Sequence, residues 1–245
     1  MSDPNPIDLL FGGMEKLGPG SDADTLKVLG MLPKTVHNVV VDAGCGTGRQ
    51  TLALAHQLRT PVYAVDSHAP FLASLEKRAA KAGIGHLVQT LCMDMADIPN
   101  RFQEIDLLWS EGAAYNIGFP HALRTWRSAV RPGGFAVVSE LSWLQDDVPD
   151  EVAQFFQTEY PDMRSVSANR SVAQEAGYRV IGTHTLPRTA WVEGYYDILK
   201  PRAEGLLNHC DSAIRDFAAE MLEEIRIFDC AEDSYCYVFF MLQKD

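Results

Sequence analysis

Short apolar runs alternate with amphipathic stretches along the chain up to residue 143. The amphipathic stretches carry apolar residues at helical spacing, and the one over residues 71–82 is followed by Gly83, which is typical of a helix end. The apolar runs are short and rich in Val and Leu, which predicts five buried strands at residues 39–42, 62–66, 87–92, 105–109 and 135–141. Strands that alternate with helices indicate an α/β fold with a doubly wound, mostly parallel, Rossmann-like sheet.

The pattern is less regular after residue 143. It predicts helices over residues 149–160, 166–176 and most of 191–230, and strands over residues 178–186 and 235–242. These two strands could pair as a hairpin, giving seven strands with an antiparallel last strand and a helical insertion before it. Pro132-Gly133-Gly134 is a turn signal between a helix and the fifth strand. We predict one domain, 1–245, made of an N-terminal helix and lid, a ligand-binding core and a substrate-side part: residues 1–33, 34–145 and 146–245.

Charge and composition narrow the classes of partner. The formal net charge is −12, and no basic stripe is visible, so nucleic acids and anionic membranes are poor candidate partners. The N-terminus does not resemble a secretory signal, and no apolar run approaches the roughly 18 residues of a membrane span. The five cysteines are scattered, which favours reduced thiols and a cytoplasmic location. The seven histidines lack metal-ligand spacing, so we predict no metal.

The stretch VVVDAGCGTGRQT over residues 39–51 predicts a strand, a tight glycine loop and a helix. Gly44, Gly46 and Gly48 allow positive φ angles and let a ligand lie directly on the backbone. The unpaired N–H groups at the start of the following helix suit an anionic group. The spacing G-x-G-x-G differs from the G-x-G-x-x-G of a dinucleotide loop, which argues against an NAD-dependent oxidoreductase.

This loop, with Asp42 two residues before its first glycine, resembles motif I of the class I S-adenosylmethionine-dependent methyltransferases. Further segments resemble later family motifs in the same order: AVDSH, LCMDMADIP, IDLLWSEGAAYNIGF and VRPGGFAVVSE. The resemblance covers residues 33–141 well and implies S-adenosylmethionine as the cofactor. It also suggests that residues 11–21 fold over the cofactor as a lid, although a surface turn with a helix cap is the simpler interpretation of this part of the N-terminal segment.

The resemblance implies roles for the cofactor-side residues. Asp66 would accept hydrogen bonds from both ribose hydroxyls, and Asp94 with Met95 would bind the adenine. Asp42 would order the loop or reach a cofactor water. Five residues would border the methionine part of the cofactor: Gly44, Gly46, Gly48, Gln50 and Ser110. The glycines and Ser110 would do so through the backbone, and Gln50 through its side-chain amide. The alternatives are a helix cap for Asp66, a loop cap for Asp94 and a solvated position for Gln50.

The substrate side is less defined by sequence. Three residues are candidate bases for an acceptor that must lose a proton: Glu111, His121 and Glu140. The alternatives are a paired carboxylate for the glutamates and a solvated position for the histidine. Five aromatic residues could wall an acceptor pocket, such as a cation–π box for an amine, or could be plain core: Tyr115, Trp143, Trp191, Tyr195 and Tyr196. SEGAAY replaces the N-P-P-Y motif of many nucleobase and protein-amide methyltransferases. The expected function is methyl transfer to a small molecule by in-line displacement, with a catalytically silent cofactor-binding scaffold as the alternative. The acceptor and the oligomeric state stay open.

Overall fold

The computed structural model describes residues 5–245, which fold around one sheet with the strand order β3-β2-β1-β4-β5-β8-β7. The strands have these bounds: β1 Val40–Ala43, β2 Val62–Asp66, β3 Val88–Cys92, β4 Ile105–Ser110, β5 Val130–Trp143, β6 Arg164–Ser165, β7 Tyr178–Thr185 and β8 Tyr235–Lys244. β1 pairs in parallel with β2 and β4, whereas β8 is antiparallel to β5 and β7. The predicted mostly parallel sheet with its antiparallel last strand is therefore confirmed, and β6 adds an eighth strand beside β5.

Helices cover the sheet on both faces. Their bounds are α1 Pro6–Phe11, α2 Asp22–Met31, α3 Arg49–Leu58, α4 Ala69–Lys81, α5 Ile98–Arg101, α6 Phe119–Arg127, α7 Asp150–Glu159, α8 Val166–Glu175, α9 Thr189–Trp191, α10 Asp197–Leu206 and α11 Ser212–Cys230. A π-helical turn with a kink at Gly194 joins α9 to α10. Within residues 5–245, no helix has the length and apolar character needed to cross a membrane.

Two local details differ from the sequence prediction. Pro132-Gly133-Gly134 does not end the helix and start a new strand, but forms a bulge inside β5, where the register against β4 shifts between Ile105 and Leu107. Gly134 is needed there because a Cβ atom would lie 2.8 Å from the Ile105 carbonyl oxygen. The two-residue strand β6 pairs with the end of β5 and was not predicted, since so short a segment has no periodicity.

The buried core follows from strands that are apolar on both faces. All four residues of β1 and all six of β4 are buried. One face packs against α2, α3 and the C-terminal helices, and the other against α5, α6 and α8. Because parallel strands end at the same edge, the segments after β1, β2 and β4 meet at one edge of the sheet, where the order of the strands reverses.

Candidate active site

A cavity of about 640 Å³ opens at the carboxyl ends of the parallel strands, and we call it the main cavity. Residues 16–19, from the predicted lid between α1 and α2, form part of its wall. Eight of the residues predicted for the site line it: Gly44, Gly46, Gln50, Asp66, Asp94, Met95, Glu111 and Tyr115. Residues from four separate motifs therefore meet in one space.

The glycine loop has left-handed backbone angles at Gly44, Gly46 and Gly48, with φ of 71°, 54° and 77°. Gly44 and Gly46 line the main cavity, whereas Gly48 does not. A Cβ atom on Gly48 would lie 2.4 Å from Leu75 Cδ1 in α4. The third glycine therefore allows close packing of α3 against α4 and does not border the cavity as the resemblance implied.

Asp66, at the end of β2, lines the main cavity and also holds the glycine loop in place. Its Oδ2 accepts a hydrogen bond from the Gly46 N–H at 2.8 Å, and its Oδ1 accepts one from the His68 N–H at 2.8 Å. A carboxylate oxygen has two lone pairs, so each can accept a second hydrogen bond. The side chain combines the structural role with the capacity to bind a hydroxyl group in the cavity.

Asp42 and Ser110 are fully buried and do not line the main cavity. Asp42 accepts a hydrogen bond from Thr51 Oγ1 at 2.5 Å, and Gln50 Nε2 lies 3.5 Å from its Oδ1. Burial raises the pKa of Asp42 to about 7, although the Thr51 hydrogen bond opposes the shift. This geometry favours the interpretation that Asp42 orders the loop and the start of α3.

Asp94 and Met95 contribute the wall that follows β3. Asp94 Oδ1 accepts a hydrogen bond from the Ala96 N–H at 2.8 Å, so the side chain caps its own turn as well as lining the cavity. The Met95 carbonyl oxygen accepts a hydrogen bond from Trp126 Nε1 at 2.8 Å, which fixes the segment to α6. Both interpretations of Asp94 are compatible with this arrangement.

Glu111 is buried directly after β4, and three donors bind its carboxylate. Oε1 accepts hydrogen bonds from Thr25 Oγ1 at 2.7 Å and from Trp109 Nε1 at 2.8 Å. Oε2 pairs with Lys16 Nζ, whose side chain is only 9% exposed. Glu111 thus ties the lid and α2 to the sheet, and both of its oxygens are already engaged.

The other two candidate bases do not line the main cavity. His121 is exposed on α6, where its ring contacts Thr125 Oγ1 at 3.3 Å. Glu140 is only 2% exposed; its Oε1 accepts a hydrogen bond from Tyr160 OH at 2.5 Å, and its Oε2 has no partner among the described residues. Burial raises the pKa of Glu140 to about 7, against the lowering effect of the Tyr160 hydrogen bond.

A second space of about 250 Å³, the side cavity, shares walls with the main cavity at the lid and at Gly112, Tyr115 and Tyr237. Of the predicted acceptor-pocket residues, Tyr115, Trp191 and Tyr195 line it. Trp143 does not; it packs against the ring of Phe156 at 5.4 Å. Tyr196 also lies outside this wall, but its OH donates a hydrogen bond to Glu224 Oε1 at 2.6 Å.

Sequence reasoning missed most of the C-terminal contribution to these walls. Tyr235 and Tyr237 line the side cavity, and Tyr237 and Phe239 line the main cavity. Their alternate spacing in β8 puts them on one face, a signal that was available. Tyr160 in the loop after α7 and Glu224 in α11 carried no such signal, because their neighbours along the chain do not indicate what they face across the fold.

Comparison with known proteins agrees with this geometry. Residues 40–134 match the family model described as a methyltransferase domain. A stretch of 105 residues is 30% identical to a probable cobalt-precorrin-6B C(15)-methyltransferase (decarboxylating) from Methanothermobacter thermautotrophicus, covering 43% of this chain and 53% of that protein. The chain thus spans about half the length of this curated relative.

Two solved structures resemble the whole chain. YjhP from E. coli superposes with a TM-score of 0.83 at 18% identity, over 99% of this chain and 100% of that one. A methyltransferase from Geobacter sulfurreducens in complex with S-adenosyl-L-homocysteine superposes with a TM-score of 0.82 at 17% identity, over 99% and 98%. The resemblance is confirmed at this level: the chain has the fold of these methyltransferase structures, and residues 40–134 match the methyltransferase domain model.

Proposed function

We propose that this protein is an S-adenosylmethionine-dependent methyltransferase that acts on a small molecule by direct displacement. The main support is the meeting of Gly44, Gly46, Asp66 and Met95 in one cavity that shares walls with a second, smaller one. The first would hold the cofactor, and the second would hold the acceptor. The small volume of the side cavity and the net charge of −12 favour a small molecule over a nucleic acid.

The residues of the main cavity fit the cofactor. At Gly44, a Cβ atom would lie 2.4 Å from Ala113 Cβ and 3.4 Å from Met95 Sδ, so a side chain here would fill the space beside the loop. At Gly46, it would lie 3.3 Å from Leu17 Cδ1 of the lid. The absence of side chains at Gly44 and Gly46 thus lets Ala113 and the lid residue Leu17 pack closely on the loop. The Asp66 carboxylate, which lines the cavity, suits the two ribose hydroxyls.

When bound, S-adenosylmethionine supplies a methyl carbon activated by a positively charged sulfur. The chain has to orient the reactants and exclude water, because effective molarities near 10⁵ M or above can result from orientation alone. The start of α3 has no side-chain cap, so its free N–H groups can bind a carboxylate. The lid closes the cavity through the pair between Lys16 and Glu111 and through the hydrogen bond from Thr47 Oγ1 to the Glu15 carbonyl oxygen at 2.7 Å.

This arrangement gives Glu111 a positioning role. A general base needs a free lone pair directed at the proton that it removes. Glu111 Oε1 already accepts hydrogen bonds from Thr25 and Trp109, and a proton taken up at Oε2 would compete with the Lys16 ion pair, so we assign Glu111 to lid attachment. If the acceptor needs a general base, we expect that base among the residues that line the side cavity.

Thermal unfolding with and without ligands tests the cofactor assignment. S-adenosylhomocysteine at about 100 times its Kd should stabilise the protein by about 2.7 kcal/mol, which raises the Tm by about 5–10 °C for a chain of this size. NAD at the same concentration should leave the Tm unchanged. No shift with S-adenosylhomocysteine, or an equal shift with NAD, would contradict the proposal.

Asp66→Asn locates the cofactor. The variant loses a charge-assisted hydrogen-bond acceptor worth about 1.5–3 kcal/mol, so S-adenosylhomocysteine should bind roughly tenfold to a hundredfold more weakly by calorimetry. The matched control is Asp97→Asn, the same change at an exposed aspartate outside the main cavity. Equal affinities for the two variants would mean that Asp66 does not contact the cofactor.

A further inference from the structure

The side cavity has an aromatic wall drawn from four separate parts of the chain. Its tyrosine and tryptophan rings come from the segment after β4, the loop after α7, α9 with the turn that follows it, and β8: Tyr115, Tyr160, Trp191, Tyr195, Tyr235 and Tyr237. Trp191 anchors this wall, since its ring stacks on Tyr237 at 5.4 Å and meets Tyr235 edge-on at 5.9 Å. Electron-rich tyrosine and tryptophan rings bind organic cations better than they bind anions.

The charged groups of the same cavity all have one sign. Glu159 and Glu224 line it, and among the residues that the structure describes none of its lining residues is Lys, Arg or His. Within residues 5–245, neither glutamate forms a salt bridge. Glu224 is held by the hydrogen bond from Tyr196 OH. A carboxylate fixed beside aromatic rings, without a cation from the chain itself, is a favourable partner for a cationic ligand.

The environment of Glu224 supports this interpretation. Burial raises the pKa of the Glu224 carboxyl, the Tyr196 hydrogen bond lowers it, and the neighbouring charge of Glu159 raises it further. The ionised carboxylate is therefore destabilised in the empty protein. A bound cation would remove much of that penalty, which is a direct source of selectivity for positive ligands.

A surface groove between α7 and α11 adjoins the side cavity and is also acidic. The two spaces share Phe155, Glu159 and Glu224. Four further acids line the groove: Glu151, Asp216, Glu220 and Glu223. Its cation, Arg226, is already paired with Glu151 and Glu223. Such a field raises the local concentration of small cations at the entrance.

We infer that the methyl acceptor is a small amine, bound as its ammonium ion between the aromatic wall and Glu224. The inference rests on the proposed function. The ammonium gives its proton to the Glu224 carboxylate, and the freed nitrogen lone pair forms the new bond to the methyl carbon. The carbon–sulfur bond breaks, and its electron pair stays on the sulfur. Positive charge thus passes from sulfur to nitrogen, and charge and atoms balance.

Ligand binding in the presence of saturating S-adenosylhomocysteine tests the charge preference. The probes are choline, a quaternary ammonium compound, and 3,3-dimethyl-1-butanol, its neutral isostere. We expect choline to bind at least tenfold more tightly in a calorimetric titration, since the shapes match and only the charge differs. Equal affinities, a preference for the alcohol, or no binding of either probe would overturn the inference.

Glu224→Gln tests the residue itself, because glutamine keeps an acceptor for Tyr196 OH and removes the charge. We expect choline affinity to fall roughly tenfold, with no such fall in Glu204→Gln, an exposed glutamate outside both cavities and the groove. Equal choline affinities in the two variants would exclude a role for Glu224. If Glu224→Gln does not fold, the comparison of the two probes on the unaltered protein still tests the preference for a cation.

Turnover separates failure of this inference from failure of the proposed function. The protein is incubated with S-adenosylmethionine carrying a radiolabelled methyl group and with matched sets of primary and secondary amines, carboxylic acids and phenols. Label on amines supports the inference, and label only on acids or phenols overturns it while leaving methyl transfer intact. If S-adenosylhomocysteine does not bind at all, the proposed function itself fails.

Discussion

Replacing Glu140 by Gln should make the protein more stable at neutral pH. Glu140 is only 2% exposed, and its Oε2 has no hydrogen-bond partner among the described residues. Glutamine has the same shape, keeps a carbonyl oxygen for the hydrogen bond from Tyr160 OH and cannot ionise. The substitution therefore removes a buried charge with little change in packing.

The size of the effect follows from the raised pKa of Glu140, from its usual 4.5 to about 7. A tenfold change in proton affinity is about 1.4 kcal/mol, so full ionisation costs the folded state up to about 3 kcal/mol. Because the folded state holds the proton more tightly than the unfolded state, stability falls as the pH rises from about 4.5 to about 7 and then levels off. In Glu140→Gln this position cannot ionise, so it contributes nothing to the decrease in stability with pH.

Urea unfolding followed by far-ultraviolet circular dichroism at pH 5, 6, 7 and 8 measures the difference. Near pH 5 the two proteins should have similar free energies of unfolding, and at pH 8 the variant should be more stable by up to about 3 kcal/mol. Asp42, with its pKa also raised to about 7, contributes equally to both curves and cancels in the difference. Glu204→Gln serves as the exposed control.

A difference that does not change with pH would refute the reasoning. It would mean that Glu140 ionises in the folded protein as easily as in the unfolded chain, and that water or a cation reaches its Oε2. A variant that is less stable at every pH would mean that the carboxyl contributes a contact that glutamine cannot replace.

Two further predictions concern the loop and the lid. Gly48→Ala should lower the Tm and weaken S-adenosylhomocysteine binding, because the new Cβ would lie 2.4 Å from Leu75 Cδ1 at a φ of 77°. The control is Gly30→Ala, which has open space around it and should be neutral or stabilising. Equal Tm values for the two variants would contradict this account. Lys16→Met leaves Glu111 buried without its cation, which costs about 3–5 kcal/mol, and should speed release of S-adenosylhomocysteine in stopped-flow measurements. An unchanged release rate would mean that this pair does not hold the lid.

The sequence by itself determined the sheet and the loop after its first strand. β1, the glycines and the start of α3 follow one another within residues 40–58, so local periodicity and glycine spacing were enough to predict them. The position of Asp66 at the end of β2 was predictable for the same reason. The resemblance to methyltransferases was confirmed by comparison, whereas the roles of the individual site residues stay predictions.

Only the tertiary structure decided which side chains meet. Glu111 and Lys16 pair across 95 positions of sequence, and Glu140 and Tyr160 meet across 20. No local pattern marks such contacts, since periodicity reports which face of an element is buried and not what packs against it. Three placements could therefore be seen only in the structure. His121 lies on the surface, Gly48 packs on α4, and an acidic aromatic cavity forms from segments that are far apart in the chain.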